Sequence, residues 1–106
     1  SAAPQAYFIH DDPSRSIELP DGEHIFGRDD SIATIVLDTS SISRAHCELI
    51  VKNGMVYLKD LASSNGTYIN DEPSVPYKSY LLSPGDTVRF GRERYTFKQQ
   101  NTVHMR

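Results

Sequence analysis

The sequence predicts an all-β protein, and three observations support that prediction. Short segments of β-branched, aromatic and aliphatic residues alternate with turns rich in Gly, Pro, Asn and Asp along the whole chain. No stretch of about ten residues keeps the apolar period of an amphipathic helix. The pair Asn53-Gly54 separates two alternating segments and favours a two-residue type I′ hairpin turn. Many short strands of this kind form a β-sandwich or a barrel, and their spacing does not distinguish the two.

The first half of the chain predicts four strands. Residues 7–9 (YFI) form the first strand, and "DDPSR" follows as a turn. Residues 17–19 alternate apolar and polar side chains, and "PDG" ends that strand. Residues 25–26 lead into the polar segment "FGRDD". Residues 35–37 (IVL) predict a short buried strand, which the Ser-rich loop "DTSSIS" follows.

The second half begins with the clearest hairpin, "HCELIVKNGMVYLKDL" at residues 46–61. The segments "TYIN", "YLLSPGD", "TVRFG" and "RYTFKQQ" then predict further short strands and turns. We see no internal repeat and no second domain, so residues 1–106 are predicted to form a single domain. Its polar ends, at 1–5 and 101–106, are expected to be loose.

Bulk properties restrict the function. The chain has 106 residues and a formal net charge of −3, which argues against direct binding of nucleic acid. It contains no apolar run long enough for a membrane span and no signal-peptide pattern. The single Cys47 cannot form an internal disulfide, which favours an intracellular location in the nucleus or cytoplasm. Because the chain starts at Ser1 rather than Met, we expect it to be part of a larger protein.

Three polar loops interrupt the apolar strands: "FGRDD", "SISRAH" and "SSNGT". They supply guanidinium groups, hydroxyls and a side-chain amide, all of which donate hydrogen bonds. An anion with several acceptor oxygens would use such a set of donors. Taken alone, Arg28 is better explained as a surface arginine paired with Asp29 or Asp30.

Four blocks in series, "FGRDD", "SRAH", "LKDLASSNGTYIN" and "LLSPGDTVRFG", resemble the forkhead-associated (FHA) domain. The resemblance covers the chain from about Ile25 to Phe97. It implies a β-sandwich of two twisted sheets with about eleven strands. It also implies a module without a cofactor that binds a phosphothreonine-containing protein segment through loops at one end, and so docks its host protein onto a phosphorylated partner.

The resemblance assigns roles to five residues. Arg28 is similar to the arginine that contacts the phosphate, and Ser43 to the serine whose hydroxyl donates to it. Arg44 occupies a position that often touches the phosphate. Ser64 matches a position that lines the site, and Asn65 resembles the asparagine that hydrogen-bonds the peptide backbone.

Other positions matched by the resemblance shape the loops. Gly27, His46 and Gly66 belong to this group, and His46 is expected to hydrogen-bond backbone near Ser43 or in the following loop. FHA domains often read the third residue after the phosphothreonine with side chains just before this serine. Here that position offers no cation, and Ile42 would favour an apolar residue of the ligand.

Two other functions are less well supported. Ser43 and His46 could form a nucleophile and base, but nothing in the sequence supplies an orienting acid or an oxyanion hole, so we predict no enzyme. Asp29 and Asp30 could be read as a catalytic carboxylate pair. In an extended chain, however, adjacent side chains point in opposite directions, so a shared catalytic site is not expected. A sandwich that binds a partner without phosphate remains an alternative. The four histidines and Cys47 lack metal-ligand spacing, so no metal is predicted.

Three arginines, Arg89, Arg92 and Arg94, lie close together in the last predicted hairpin. They are consistent with an ordinary solvated turn. Alternatively, Arg92 or Arg94 reads acidic residues that follow the phosphothreonine, since the last hairpin of FHA domains can lie beside the peptide.

Overall fold

A computed structural model describes residues 5–100 and contains eleven β-strands. The strands in chain order are β1 (Ala6–Ile9), β2 (Ile17–Leu19), β3 (Gly22–Gly27), β4 (Ile35–Val36), β5 (Cys47–Lys52), β6 (Met55–Asp60), β7 (Thr67–Ile69), β8 (Glu72–Pro73), β9 (Ser79–Leu81), β10 (Thr87–Phe90) and β11 (Glu93–Gln99). A single 3-10 turn at Pro13–Arg15 occupies the predicted "DDPSR" turn. Within residues 5–100, no helix is both long and apolar enough to cross a membrane.

The strands form two separate sheets, which confirms the sandwich over the barrel. One sheet has the order β2-β1-β11-β10-β7-β8 and the other β4-β3-β5-β6-β9. All pairs are antiparallel except β3 with β4. The predicted hairpin joins β5 and β6, and Asn53 and Gly54 both have the positive φ that its turn requires, 52° and 85°.

The core lies between the sheets and consists of alternate side chains from both inner faces. Phe26 of β3 and Phe90 of β10 meet with ring centroids 4.4 Å apart, so an aromatic contact joins the two sheets. Phe8 and Tyr95 pack beside them. Each fully buried side chain of this size contributes about 1.5–3 kcal/mol to stability. The aromatic cluster therefore holds the ends of β3 and β10 at a fixed separation.

Two predictions about individual segments need comment. The predicted buried strand at 35–37 is wrong in extent: β4 has two residues, pairs only with β3 at the sheet edge, and leaves Val36 44% exposed. The predicted loose ends at 1–4 and 101–106 lie outside the described residues. Gln5 is described, and its carbonyl accepts a hydrogen bond from Gln100 N at 2.8 Å.

The register sorts the connections into two groups. Phe26, Cys47 and Asp60 are paired across three strands, and Thr67 pairs with Phe90 in the other sheet. We call this the loop end, because the connections 28–34, 37–46, 61–66 and 91–92 meet there. The connections 20–21, 53–54, 70–71 and 82–86 lie at the opposite end, which we call the turn end.

Candidate functional site

The loop end is built on the close approach of two loops at Gly27. A Cβ atom at Gly27 would lie 2.2 Å from the carbonyl oxygen of Arg44, so a side chain at this position would collide with backbone. The closeness allows two backbone hydrogen bonds, from Arg28 N to Ser43 O at 3.0 Å and from Asp29 N to Arg44 O at 3.3 Å. Gly27 thus lets loop 28–34 bind loop 37–46 edge to edge.

Arg28 is exposed and its guanidinium is only partly used. Nε donates to the carbonyl oxygen of Ile42 at 2.9 Å, which fixes the direction of the side chain. Among the described residues it forms no ion pair with Asp29 or Asp30, so the alternative interpretation of a surface ion pair is wrong. The two terminal amino groups remain available to an anion.

Arg44 is the residue that pairs with Asp29. Its Nε lies 3.4 Å from Asp29 Oδ2, and 68% of the Arg44 side chain is exposed. Hydrogen bonds from the hydroxyl and the N–H of Ser31, with a smaller contribution from Arg44, lower the pKa of Asp29 below its usual range. Exposed pairs of this kind are weak, so a phosphate can compete for Arg44.

His46 is fully buried and connects two loops. Ser43 N donates to Nδ1 at 3.0 Å, so the ring proton is on Nε2, which donates to Gly66 O at 3.1 Å. Burial lowers the pKa of His46, and the neutral ring satisfies both bonds. The 4.0 Å approach of Nε2 to Asp60 is therefore not an ion pair at neutral pH. Because His46 contacts the amide of Ser43 and not its hydroxyl, the two residues do not form a nucleophile and base.

The hydroxyl of Ser43 and the amide of Asn65 complete the links between loops. Ser43 Oγ accepts a hydrogen bond from Ser64 N at 2.9 Å, which leaves the hydroxyl proton free to donate elsewhere. Asn65 Nδ2 donates to Ser41 O at 3.0 Å. The side chains of Ser64 and Asn65 are otherwise exposed. The residues predicted from sequence therefore lie on three loops that are hydrogen-bonded to one another.

Asp60 organises the loop that carries Ser64 and Asn65, and the sequence analysis missed it. The residue is 2% exposed. Oδ1 accepts from the hydroxyls of Ser63 at 2.6 Å and Thr67 at 2.7 Å, and Oδ2 accepts from Ser63 N at 3.0 Å. The spacing of an Asp three residues before a Ser is the sequence signal that could have indicated this turn.

His46, Cys47 and Asp60 offer three possible metal ligands within 4.8 Å of one another. Each already has a hydrogen-bond partner. Since the Thr67 hydroxyl donates to Asp60, the Cys47 thiol donates to Thr67 Oγ1 at 3.1 Å, and burial raises the pKa of that thiol far above its usual range. The His46 nitrogen that faces Asp60 carries a proton. These groups form a hydrogen-bond network, and the absence of a metal site stays a prediction.

The β10–β11 turn is a fourth segment at the loop end. The sequence analysis considered a role for it in ligand binding only as an alternative. Gly91 N donates to Gly66 O and Arg92 N donates to Ser41 Oγ, both at 3.1 Å. A Cβ atom at Gly91 would lie 2.3 Å from Ser41 O, and its φ is 58°. The turn therefore rests directly on loop 37–46.

The expectation that Ile42 contacts an apolar residue of the ligand is wrong. Ile42 is 1% exposed and belongs to the hydrophobic core. The neighbouring Ser41 is 6% exposed, and its carbonyl and hydroxyl are both used within the protein. Neither side chain can read a ligand, because loop 37–46 turns them inward to fix its own position.

A hollow of about 330 Å³ opens beside the two arginines. It is lined by Arg28, Asp29, Asp30, Val36, Asp38 and Arg44. Asp29 and Asp30 lie in a turn rather than in an extended segment, so both face this hollow, in contrast to the prediction. Two guanidinium groups with unused donors at its wall make it suitable for an anion with several oxygens.

The sequence of this chain is similar to known proteins. The family model of the FHA domain matches residues 24–91. Protein FraH of Nostoc sp. is 33% identical over 95 residues, which cover 82% of this chain and 33% of FraH. The chain spans about a third of the length of FraH and between 20% and 42% of the other curated relatives that it matches.

Two solved structures show how far the likeness extends in three dimensions. One, from a study of phosphothreonine-dependent FHA domain interactions, has a TM-score of 0.78 and 30% identity, and covers 92% of this chain and 98% of that one. The other, the MEK1 FHA domain in complex with the HOP1 pThr318 peptide, has a TM-score of 0.74 and 28% identity over 92% of this chain and 99% of that one. With the match over residues 24–91 and the same two-sheet fold, the chain belongs to the FHA domain family.

Proposed function

We propose that the loop end binds a phosphothreonine in an extended segment of a partner protein. Arg28, Ser43 and Arg44 contact the phosphate, while Ser64 and Asn65 line the site and hold the peptide backbone. The observation that carries this proposal is that His46 joins the Ser43 loop to the 61–66 loop, so that unused donors from three loops meet at one end. In the MEK1 complex, an FHA domain of similar structure is bound to a phosphothreonine peptide.

The phosphate is expected to contribute at least about 2.7 kcal/mol to the free energy of binding. It carries about −1.5 to −2 charges at neutral pH and three strong acceptor oxygens. Each hydrogen bond to a charged group contributes about 1.5–3 kcal/mol. Loss of several such bonds is expected to weaken binding of the unphosphorylated peptide at least about 100-fold, which corresponds to about 2.7 kcal/mol.

The hydrogen bonds within the site hold its donors in place before the ligand arrives. The Ser43 hydroxyl is held by Ser64 N at 2.9 Å, and Arg28 by the Ile42 carbonyl at 2.9 Å. Binding therefore orders few protein side chains and loses less conformational entropy. The net charge of −3 gives no general attraction for an acidic ligand, so attraction comes from the local arginines.

We extend the proposal to the whole protein in three respects. The domain docks its host protein onto a phosphorylated partner and is expected to catalyse no reaction itself, since within the described residues His46 is hydrogen-bonded to the N–H of Ser43 and not to its hydroxyl. It works without a cofactor. A free, buried Cys47 thiol fits an intracellular location.

Fluorescence anisotropy with three versions of one peptide tests the proposal. We expect a Kd near micromolar for phosphothreonine, since a short peptide buries little area and must be ordered. Phosphoserine should bind about tenfold more weakly because one methyl contact is lost, and threonine at least about 100-fold more weakly. Equal binding of the threonine and phosphothreonine peptides would instead support a scaffold that works without phosphate.

A further inference from the structure

We infer that the binding site has one acidic and one basic rim, and that it selects a phosphopeptide with basic residues on one flank and acidic residues on the other. This inference rests on the proposed function, because the phosphothreonine places the peptide between the two rims. It adds a selectivity for charge that involves Asp30, Asp38 and Arg92, none of which is proposed to contact the phosphate, although Asp30 and Asp38 line the same hollow as Arg28 and Arg44.

The acidic rim is formed by Asp30 and Asp38. Both are exposed, and within residues 5–100 neither carboxylate has a hydrogen bond or an ion pair. They line the same hollow as Arg28 and Arg44. Val36, 44% exposed, also lines this hollow and provides an apolar surface for the stem of a Lys or Arg side chain. Because Arg28 and Arg44 line the same hollow and are proposed to bind the phosphate, a basic side chain of the peptide would contact Asp30, Asp38 and Val36 beside the phosphate rather than in place of it.

The basic rim is formed by Arg92. Its neighbours in the last hairpin are already occupied: Arg89 donates to Gly91 O at 2.7 Å, and Arg94 pairs with Asp71 at 3.2 Å. Arg89 also lies 4.0 Å from the centre of the Tyr68 ring. The Arg92 side chain is exposed and has no partner in the described part of the chain. The β10–β11 turn at residues 91–92 therefore presents one cation, Arg92, with no side-chain partner among the described residues.

The charge next to Arg92 is neutralised within the protein. Glu93 follows it directly, but its carboxylate lies 2.6 Å from Arg15 and is only 15% exposed. Arg92 itself is held at the site by its backbone N–H, which donates to Ser41 Oγ. The positive charge of the rim thus has no partner among the described residues, and the backbone that carries it is held beside loop 37–46.

The two rims belong to different sheets. Asp38 follows β4, the edge strand of the five-stranded sheet, whereas Arg92 lies in the β10–β11 turn of the six-stranded sheet. Loop 37–46 contacts Arg92 N through Ser41 and lines the hollow with Arg44, and Ser43 lies between these two residues in the chain. An extended peptide advances about 3.3 Å per residue, so the inference requires that residues close to the phosphothreonine on either side contact the two rims.

The expected effect is moderate and depends on salt. Ion pairs at an exposed rim contribute little each, and they act mainly on the association rate. We therefore expect a total preference of about three- to tenfold at low ionic strength, most of which is lost at about 0.5 M salt because screening shortens the range of the charges.

Two phosphothreonine peptides of identical composition test the inference. One carries three Lys before and three Asp after the phosphothreonine, and the other carries them in the reverse order; unphosphorylated versions accompany both. We expect one order to bind at least about threefold more tightly in anisotropy titrations of the full chain at low salt. Arg92→Glu and Asp38→Lys should each reduce that preference, and the two together should reverse it.

The outcomes separate this inference from the proposed function. Arg94→Glu is the control, since this residue is already paired with Asp71, and it should leave the preference unchanged. Equal binding of both phosphopeptides within twofold, or a preference that survives both charge reversals, would contradict the inferred role of the two rims. Phosphate dependence, and with it the proposed function, would be unaffected by either result. Failure to bind either phosphopeptide, or equal binding of their unphosphorylated versions, would overturn the proposed function and this inference with it. Thermal melting of each variant shows that it is folded.

Discussion

At each end of the sandwich, an aspartate accepts hydrogen bonds that hold a turn or loop, but the two aspartates have different surroundings. At the turn end, Asp86 accepts hydrogen bonds from Ser83 N at 2.8 Å and from Asn70 Nδ2 at 3.0 Å, and so holds a short turn. At the loop end, Asp60 holds the 61–66 loop by three similar bonds, but it is 2% exposed. The buried aspartate is connected through Thr67 to Cys47, whereas the half-buried Asp86 joins its own turn to the neighbouring turn at Asn70.

The difference shows that, at the loop end, the side chains that support the loops are not the ones proposed to contact the ligand. Its supporting side chains, His46 and Asp60, are buried and bind backbone or neighbouring hydroxyls. The groups proposed to meet the ligand, on Arg28 and Arg44, are exposed and have unused donors. Substitutions in the first group should change stability and binding together, whereas those in the second should change binding alone.

The largest effect is expected for Arg28→Ala. Loss of the guanidinium group at the phosphate should weaken phosphothreonine binding about 100-fold or more. The free energy of unfolding should change by less than about 1 kcal/mol, because the residue is exposed. Anisotropy and urea unfolding measure the two quantities. Arg94→Ala, at another exposed arginine, is the matched control and should change neither appreciably. Retained binding in Arg28→Ala would remove this residue from the site.

Asp60→Ala and Asp86→Ala compare the two ends directly. Asp60→Ala leaves the hydroxyls of Ser63 and Thr67 and the N–H of Ser63 without their acceptor, so we expect a loss of about 2–3 kcal/mol in unfolding free energy. Binding should also weaken about tenfold, because loop 61–66 loses its support. Asp86→Ala should destabilise by about 1 kcal/mol and leave binding within twofold of the original. If both variants weakened binding equally, the two ends would not differ in the way described.

Ser43→Ala removes a direct donor and the acceptor of Ser64 N. Binding should fall about tenfold, near 1.4 kcal/mol, and stability only slightly because the site is partly exposed. Ser64→Ala keeps its backbone N–H and should cost less than Ser43→Ala. Isothermal titration of both variants gives the comparison, and a larger loss in Ser64→Ala would contradict the role given to the Ser43 hydroxyl.

The smallest effect concerns pH. Burial lowers the folded-state pKa of His46 below 6.5, so the unfolded chain binds more protons in this range. The contribution of this residue to stability is therefore fully present above about pH 6.5 and is lost as pH falls toward the lower folded-state pKa, by at most about 1.4 kcal/mol per pH unit. Urea unfolding between about pH 5 and 8 measures it.

His46→Gln keeps the other three histidines and provides the comparison for the pH series. Its unfolding free energy should depend less on pH than that of the original chain. Equal slopes would mean that another group titrates.

Local chemistry made much of the fold predictable. Alternating side chains predicted most strands, and Asn53-Gly54 predicted a turn whose φ angles both have the expected sign. The edge strand β4 was predicted too long and too buried, because an apolar run of three residues does not show whether a neighbour covers it. The members of the site were proposed from the FHA resemblance, and the structure brings their loops together at one end.

The sequence by itself determined where the strands and tight turns form, since side-chain alternation and left-handed turn residues act over a few positions. Tertiary structure alone decided that Ile42 points inward, that Asp29 pairs with Arg44 rather than Arg28, and that Arg92 keeps its charge unpaired. It also decided that Asp60 is buried beneath the site. These outcomes depend on contacts between residues far apart in the chain, such as Asn65 with Ser41, and no local pattern encodes which loops will meet.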